Sequence, residues 1–188
     1  LVRWRHPTKG LIPPDQFIPI AEETGLITTL GEWVLREAMT EATFWPEDIA
    51  IAVNVSPLQI PNGKLLPTLV GTLATTGLAP NRLELEITES SILILQPETL
   101  DFLRSVRELG VRVSIDDFGT GYSSMTYLQK FPFDKIKIDR SFVQAISDGA
   151  KNDTVIRAML NLGATLGLRT TAEGVENLTQ LEYLVANG

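Results

Sequence analysis

Short apolar runs of strand length alternate with longer runs whose apolar residues recur every three or four positions. Strands are expected at residues 1–5, 49–56, 83–88, 111–117, 135–139 and 169–173, each brief and rich in β-branched or large apolar residues. The segments between them read as helices. One carries Leu30, Val34, Leu35, Ala38 and Met39. A second carries Leu65, Leu66, Leu69, Val70 and Leu73 and stops at Gly77. A third starts near Pro97, presents Leu100, Leu103 and Val106, and ends at Gly110. A fourth shows Val155, Ile156, Met159, Leu160 and Leu166. A proline at the start costs no hydrogen bond and a glycine at the end accepts the left-handed stop, so these boundaries fit helices.

Strand alternating with helix implies an α/β fold with mostly parallel strands. Side chains alternate faces along a strand. Val53 and Val55 therefore oppose Ala52 and Asn54, Leu85 and Ile87 oppose Glu84 and Glu86, and Val113 and Ile115 oppose Ser114 and Asp116. Likewise Ile136 and Ile138 oppose Lys135, Lys137 and Asp139, while Thr170 and Ala172 oppose Thr171 and Glu173. A doubly wound sheet, covered by helices on both faces, has strands that are apolar on both sides. These strands are apolar on one side only. A closed barrel accounts for this, with the polar row turned towards its axis. The expected fold is a (β/α)8 TIM-type barrel, incomplete in this chain. Six strands are counted against eight, and 188 residues against about 250.

Composition narrows the chemistry. Hydrophobic residues make up 44% and charged residues 21%, as in a globular chain with a substantial core. No apolar run reaches the ~18 residues of a membrane span, and no signal peptide is visible at a first residue that reads as a cut in mid-strand. There is no cysteine, hence no disulfide framework or thiolate chemistry, and a cytoplasmic setting is expected. The net charge of -7 argues against binding polymeric nucleic acid, which relies on basic surfaces. The single histidine, His6, nearly excludes a His-based zinc site and reads as structural. Carboxylate and amide oxygens remain, and they suit Mg²⁺, Mn²⁺ or Ca²⁺.

The run from Ser114 through Asp116, Asp117, Phe118, Gly119, Thr120 and Gly121 to Ser124 is the most informative in the chain. Two adjacent carboxylates at a strand end repel each other unless one is neutralised or a positive charge sits between them. Strand C-termini are where barrels of this type place their active sites. Asn54, Glu86 and Asp116 are three oxygen donors for a hard cation, and Asp117 is a donor for a second, with Asp116 bridging. Two cations about 3.5–4 Å apart clamp the attacking and leaving oxygens of a phosphoryl displacement and activate a water between them. Lys137 is placed to hold that nucleophile or accept its proton, and Glu173 to hold the second metal directly or through water. Metal-assisted phosphodiester hydrolysis follows. Singly, each residue has a blander reading: an Asp-Asp pair before a glycine loop is most often a turn or helix cap, and a lone strand-end lysine is most often solvated. Jointly, five strands put them on one face at one end. Asp117-Phe118-Gly119 lacks the other kinase motifs, and Gly119-x-Gly121 lacks the rest of a dinucleotide fingerprint.

Seven separated motifs spanning the chain resemble the EAL-domain family. Leu1-Val2-Arg3-Trp4-Arg5-His6-Pro7 looks like the continuation of the Glu-Ala-Leu motif. Phe17-Ile18-Pro19 with Ala21-Glu22-Glu23-Thr24-Gly25 is similar to the helix that follows it. Asn54-Val55-Ser56, Glu86-Ile87-Thr88-Glu89-Ser90 and Asp116-Asp117-Phe118-Gly119-Thr120-Gly121 match in order. So do Lys137-Ile138-Asp139-Arg140-Ser141-Phe142 and Ala172-Glu173-Gly174-Val175-Glu176.

The resemblance implies a modified barrel with one reversed strand and a bacterial phosphodiesterase that opens cyclic di-GMP to linear pGpG with two Mg²⁺ or Mn²⁺ ions, Ca²⁺ acting as an inhibitor. Position by position it makes Asn54, Glu86, Asp116 and Asp117 metal ligands, Lys137 and Glu173 catalytic, and Arg3 a phosphate contact. Gln59, Asp139 and Glu176 are weaker assignments, Gln59 towards substrate. Glu89 would anchor the loop of Gly119, Thr120 and Gly121, which couples dimerisation to activity. A homodimer is expected, with the helix after Tyr122 (Met125, Tyr127, Leu128) at its two-fold interface, and fused sensor or GGDEF-type modules are expected as well. The motif glutamate would lie two places before Leu1 and the family's late glutamine beyond Gly188. The expectation is thus a single EAL-type domain over residues 1–188 lacking one strand at each end, within a longer protein. The alternative is an inactive EAL domain serving as a cyclic di-GMP receptor or protein-interaction module.

Overall fold

The computed structural model describes all residues except 62, 93–96, 122–127, 129–130, 132 and 149–152. The strands are β1 (Trp4–His6), β2 (Gly10–Ile12), β3 (Ile51–Asn54), β4 (Leu83–Thr88), β5 (Arg112–Phe118), β6 (Lys135–Ile138) and β7 (Arg169–Ala172). The helices are α1 (Pro14–Glu23), α2 (Ile27–Ala42), α3 (Leu65–Thr76), α4 (Glu89–Ile92), α5 (Pro97–Glu108), α6 (Arg140–Gln144), α7 (Asp153–Leu166) and α8 (Leu178–Asn187). The chain forms two compact units, one of residues 1–85 and 96–111, the other of residues 86–95 and 112–188. Strand β4 runs through both.

In the first unit β1 and β2 form an antiparallel hairpin, Trp4 opposite Ile12 and His6 opposite Gly10. The expectation that residues 1–5 form a strand of the main sheet is thereby corrected. Gly10, at φ 75, reverses the chain, and the backbone N–H groups of Thr8 and Lys9 donate to His6 Nδ1 at 3.2 Å each. Strand β2 is three residues long, too short for a period to show in the sequence. Helix α2 buries Leu35, Met39 and Ala42 where it meets α3 and β3. Each large side chain taken out of water there contributes about 1.5–3 kcal/mol. Helix α3 ends at Gly77, φ 68, as its glycine stop predicts. Within this unit β3 lies beside β4.

In the second unit the order is β4, β5, β6, β7. Strands β5 and β6 are parallel, with Ser114 opposite Lys135 and Ile115 opposite Ile136. Strands β6 and β7 are parallel, with Lys137 opposite Thr171 and Ile138 opposite Ala172. Helix α7 packs on β6 and β7, and Val113, Ile115, Ile136, Ile138 and Ile156 are fully buried. The polar row is not a wet face: Glu86, Ser114 and Asp116 are buried too. Among the described residues the sheet has five strands, an α/β, TIM-barrel-type arrangement short of the eight strands of a closed barrel.

The β5–β6 register slips between Ile115 and Phe118. Asp117 sits in the slip with φ 53, the only described non-glycine residue in the left-handed region. Aspartate tolerates that region better than most residues.

Candidate active site

The second unit gathers its polar groups at the C-terminal ends of its strands. Glu86 comes from β4, Asp116 and Asp117 from β5, Lys137 from β6, and Glu173 from the residue just after β7. Strict alternation would send Asp116 and Asp117 to opposite faces. The register slip at Asp117 cancels that rule, and carboxylate oxygens of Asp116, Asp117 and Glu173 all lie within 4.8 Å of one another. Such a group of hard oxygen donors could hold a divalent cation.

Lys137 sits among these carboxylates. Its Nζ lies 2.8 Å from Glu86 Oε1, 2.9 Å from Asp116 Oδ1 and 2.7 Å from Glu173 Oε1, with its side chain only 13% exposed. Burial works against its charge. The hydrogen bonds it donates to Glu173, Glu86 and Asp116 outweigh burial and hold the ammonium above the ordinary lysine value. Asp117 shows the opposite imbalance. Burial first, then the charges of Asp116, Asp139 and Glu173, push its carboxyl above the usual carboxylate value against the pull of Lys137.

The loop after β5 is fixed from below. Glu89, 2% exposed at the start of α4, accepts the backbone N–H of Gly119 at 2.6 Å and of Gly121 at 3.1 Å. The Asp117 carbonyl accepts both the N–H and the hydroxyl of Thr120. Glu89 thus holds this loop by two backbone hydrogen bonds. Asp139 caps α6, its Oδ1 accepting from the Ser141 N–H and hydroxyl. Burial pushes its carboxyl up, but these hydrogen bonds win and hold it below the usual value. Of the expected interface helix, Tyr122, Met125 and Tyr127 fall outside the described residues, while Leu128 is buried.

Three expected site residues belong to the first unit. Asn54 is the exposed last residue of β3. Arg3 is exposed, its guanidinium donating to the carbonyls of Leu1 and Val2. Gln59 is 3% exposed, and its Oε1 accepts from the Ser56 N–H at 2.9 Å in a capping box. A Cβ on Gly31 would collide with the Gln59 amide. Gln59 is packed as a structural residue.

Two supporting residues were not singled out from the sequence. Gln180, 3% exposed, accepts from the N–H groups of Glu176 and Asn177 and closes a capping box at the start of α8, behind the turn that carries Glu173. The Asn-x-x-Gln spacing was the available signal. Asp134 accepts the Val113 N–H at 2.8 Å and ties β5 to the start of β6. Nothing in local sequence marks that contact.

The family described as EAL domain matches residues 1–188. A signaling protein of Caulobacter vibrioides, itself named uncharacterized, is 55% identical over 98% of this chain, which spans 23% of that protein. MucR of Pseudomonas aeruginosa, named a bifunctional diguanylate cyclase and cyclic di-GMP phosphodiesterase, is 43% identical over the whole chain and 28% of its own length. The chain thus spans about a quarter of the curated relatives it matches. A solved structure named as the PaMucR phosphodiesterase in complex with c-di-GMP superposes with a TM-score of 0.93 at 43% identity, covering 100% of this chain and 78% of that one. The EAL enzyme Bd1971, in its cAMP and cyclic-di-GMP bound form, gives 0.93 at 29% identity, covering 99% of this chain and 52% of that one.

Proposed function

The chain belongs to the EAL-domain family, and on that premise we propose that it hydrolyses one phosphodiester of cyclic di-GMP, giving linear pGpG, in a reaction that needs divalent cations. The carrying observation is the convergence of Asp116, Asp117 and Glu173 oxygens within 4.8 Å, with Lys137 paired into the same group. The names of MucR and of its c-di-GMP complex support the choice of substrate.

The residues fit a cation. The donors are hard carboxylate oxygens, and burial first, then the charges of Asp116, Asp139 and Glu173, raise the Asp117 carboxyl. We assign Asp116, Asp117 and Glu173 to hold Mg²⁺ or Mn²⁺. Glu86 and, by resemblance alone, Asn54 complete the ligands. A cation bound there supplies two things: a lower pKa for water and neutralisation of phosphate charge.

The protein's own groups do the rest. The Lys137 ammonium, which donates to Glu173, Glu86 and Asp116, acts as a donor that orients the attacking water and steadies negative charge on the phosphate. Glu173, at 38% side-chain exposure, is the most open of Lys137's three partners, and in this proposal it supports the cation and the water beside it. Glu89 keeps the Gly119–Gly121 loop closed behind the aspartates. Arg3 contacts a substrate phosphate in this proposal. Gln59 is left out, because its amide is buried and committed to the backbone. The proposal also includes a single EAL-type domain within a longer cytoplasmic signalling protein that forms a homodimer. Among the described residues no helix is long and apolar enough to cross a membrane.

The test is incubation of the full-length protein with cyclic di-GMP and Mg²⁺, Mn²⁺ or EDTA, followed by chromatography for pGpG. Turnover is expected with either metal, none with EDTA, and none for Asp116→Ala with unchanged circular dichroism. Binding without any pGpG would overturn the enzymatic reading in favour of a receptor.

A further inference from the structure

We infer that Lys137 is a built-in counter-ion that occupies the carboxylate cluster ahead of the divalent cation and competes with it for Asp116 and Glu173. The inference rests on the metal-dependent reading above.

Strand β6 lies between β5 and β7, and the second unit orders its strands β4, β5, β6, β7. A lysine near the end of β6 is thus flanked by carboxylates from neighbouring strand ends. Lys137 reaches Glu86, Asp116 and Glu173 at 2.7–2.9 Å. The side chains of Glu86 and Asp116 are only 8% and 12% exposed, so water screens their mutual repulsion weakly. The ammonium offsets the repulsion among these carboxylates.

The cation cluster and the lysine cluster overlap but are not the same. Asp116 and Glu173 belong to both. Asp117 belongs to the cation set and makes no ion pair with Lys137 among the described residues. Glu86 is the reverse, paired to the lysine but outside the tight oxygen group. A divalent cation in the tight oxygen group and the ammonium therefore share Asp116 and Glu173, and Glu86 as well where it completes the ligands; two positive charges on the same carboxylates repel each other even where each takes its own oxygen. The ammonium lowers the free energy of the metal-free protein more than that of the loaded one. By linkage, it weakens cation binding and reduces the stabilisation that the cation confers.

The test compares wild type, Lys137→Met and Lys137→Arg in the full-length protein without substrate, reading free Mn²⁺ by electron paramagnetic resonance and thermal unfolding with and without Mn²⁺. Lys137→Met is expected to bind Mn²⁺ roughly tenfold more tightly, since it loses one competing charge at short range. It is also expected to have a lower Tm without metal and a larger rise in Tm on adding it. Lys137→Arg, which keeps the charge, should stay within about threefold of wild-type affinity. Should Lys137→Met be unfolded without metal, recovery of its helical circular dichroism on adding Mn²⁺ supports the inference, and failure to recover overturns it. Equal or weaker Mn²⁺ binding by Lys137→Met overturns the competition while leaving the metal site standing. No Mn²⁺ binding by any of the three proteins overturns the metal-dependent reading and the competition together.

Discussion

The carboxylate of Glu89 accepts the backbone N–H of Gly119 at 2.6 Å, joining the start of α4 to the loop that leaves β5 two residues after Asp117. The same oxygen also takes the Gly121 N–H, so a single buried side chain closes the loop that continues the aspartate pair. Glu89→Ala leaves two backbone donors without their acceptor, and a cost of about 2–4 kcal/mol is expected. Thermal denaturation reads the loss, and turnover should fall with it. A variant as stable and active as wild type would show that the anchor does nothing.

Gly119 should tolerate no side chain. Its φ is 101, and a Cβ there would run into Met159 Cε and approach Phe142 Cε2 to 2.8 Å. Gly119→Ala is expected to cost about 2–4 kcal/mol from backbone strain and overpacking together. Adding Met159→Ala removes one collision but not the strained φ, so denaturant unfolding of the double variant should show only partial relief.

Asp117 sets a pH dependence whose sign follows from its raised carboxyl. Its folded-state pKa lies above the ordinary aspartate value of 3.8, so the native state binds its proton more readily than the unfolded chain. Its contribution is neutral well below 3.8 and turns destabilising as pH rises through the folded value. Asp117→Asn should therefore raise the Tm of the EDTA-treated protein at neutral pH, with the gain fading in acid. Asparagine also accepts the left-handed backbone at φ 53. Unfolding curves from pH 3 to pH 8 (roughly the span over which a carboxylate titrates in proteins) check this. A gain that did not shrink in acid would locate the effect in something other than charge.

Arg82 supports the first unit through its guanidinium. Its Nε donates to the Ile49 carbonyl at 2.9 Å, and its Nη2 donates to those of Ala42 at 2.8 Å and Pro46 at 3.0 Å, past the end of α2. Charged donors at a helix C-terminus satisfy carbonyls that the helix leaves over. Arg82→Met should cost about 2–4 kcal/mol in chemical unfolding, with turnover at moderate temperature kept close to wild type. A large loss of turnover without loss of stability would contradict a purely structural role.

Much of this protein was legible along the chain because its information is local. The helix stripe through Leu35 and Met39, the stop at Gly77 and the polar–apolar alternation in β4, β5 and β6 reflect periods of 3.6 and 2 that any backbone must obey. The strand-end positions of Glu86, Asp116, Lys137 and Glu173 followed from the same alternation. The hairpin of β1 and β2 was not legible, since three residues carry no period and pairing with Trp4 is decided across the turn. The burial of Gln59 was also hidden, because it depends on Gly31 leaving room on α2.

The chain alone determined which residue types stand at which strand ends. Tertiary structure decided which of them act on one another. The slip between β5 and β6 turned two consecutive aspartates into one cluster, and the place of β6 between its neighbours put an ammonium among three carboxylates. The physical reason is range. Periodicity is set by bonds within a few residues, whereas charge–charge energy depends on distances that only the folded sheet fixes.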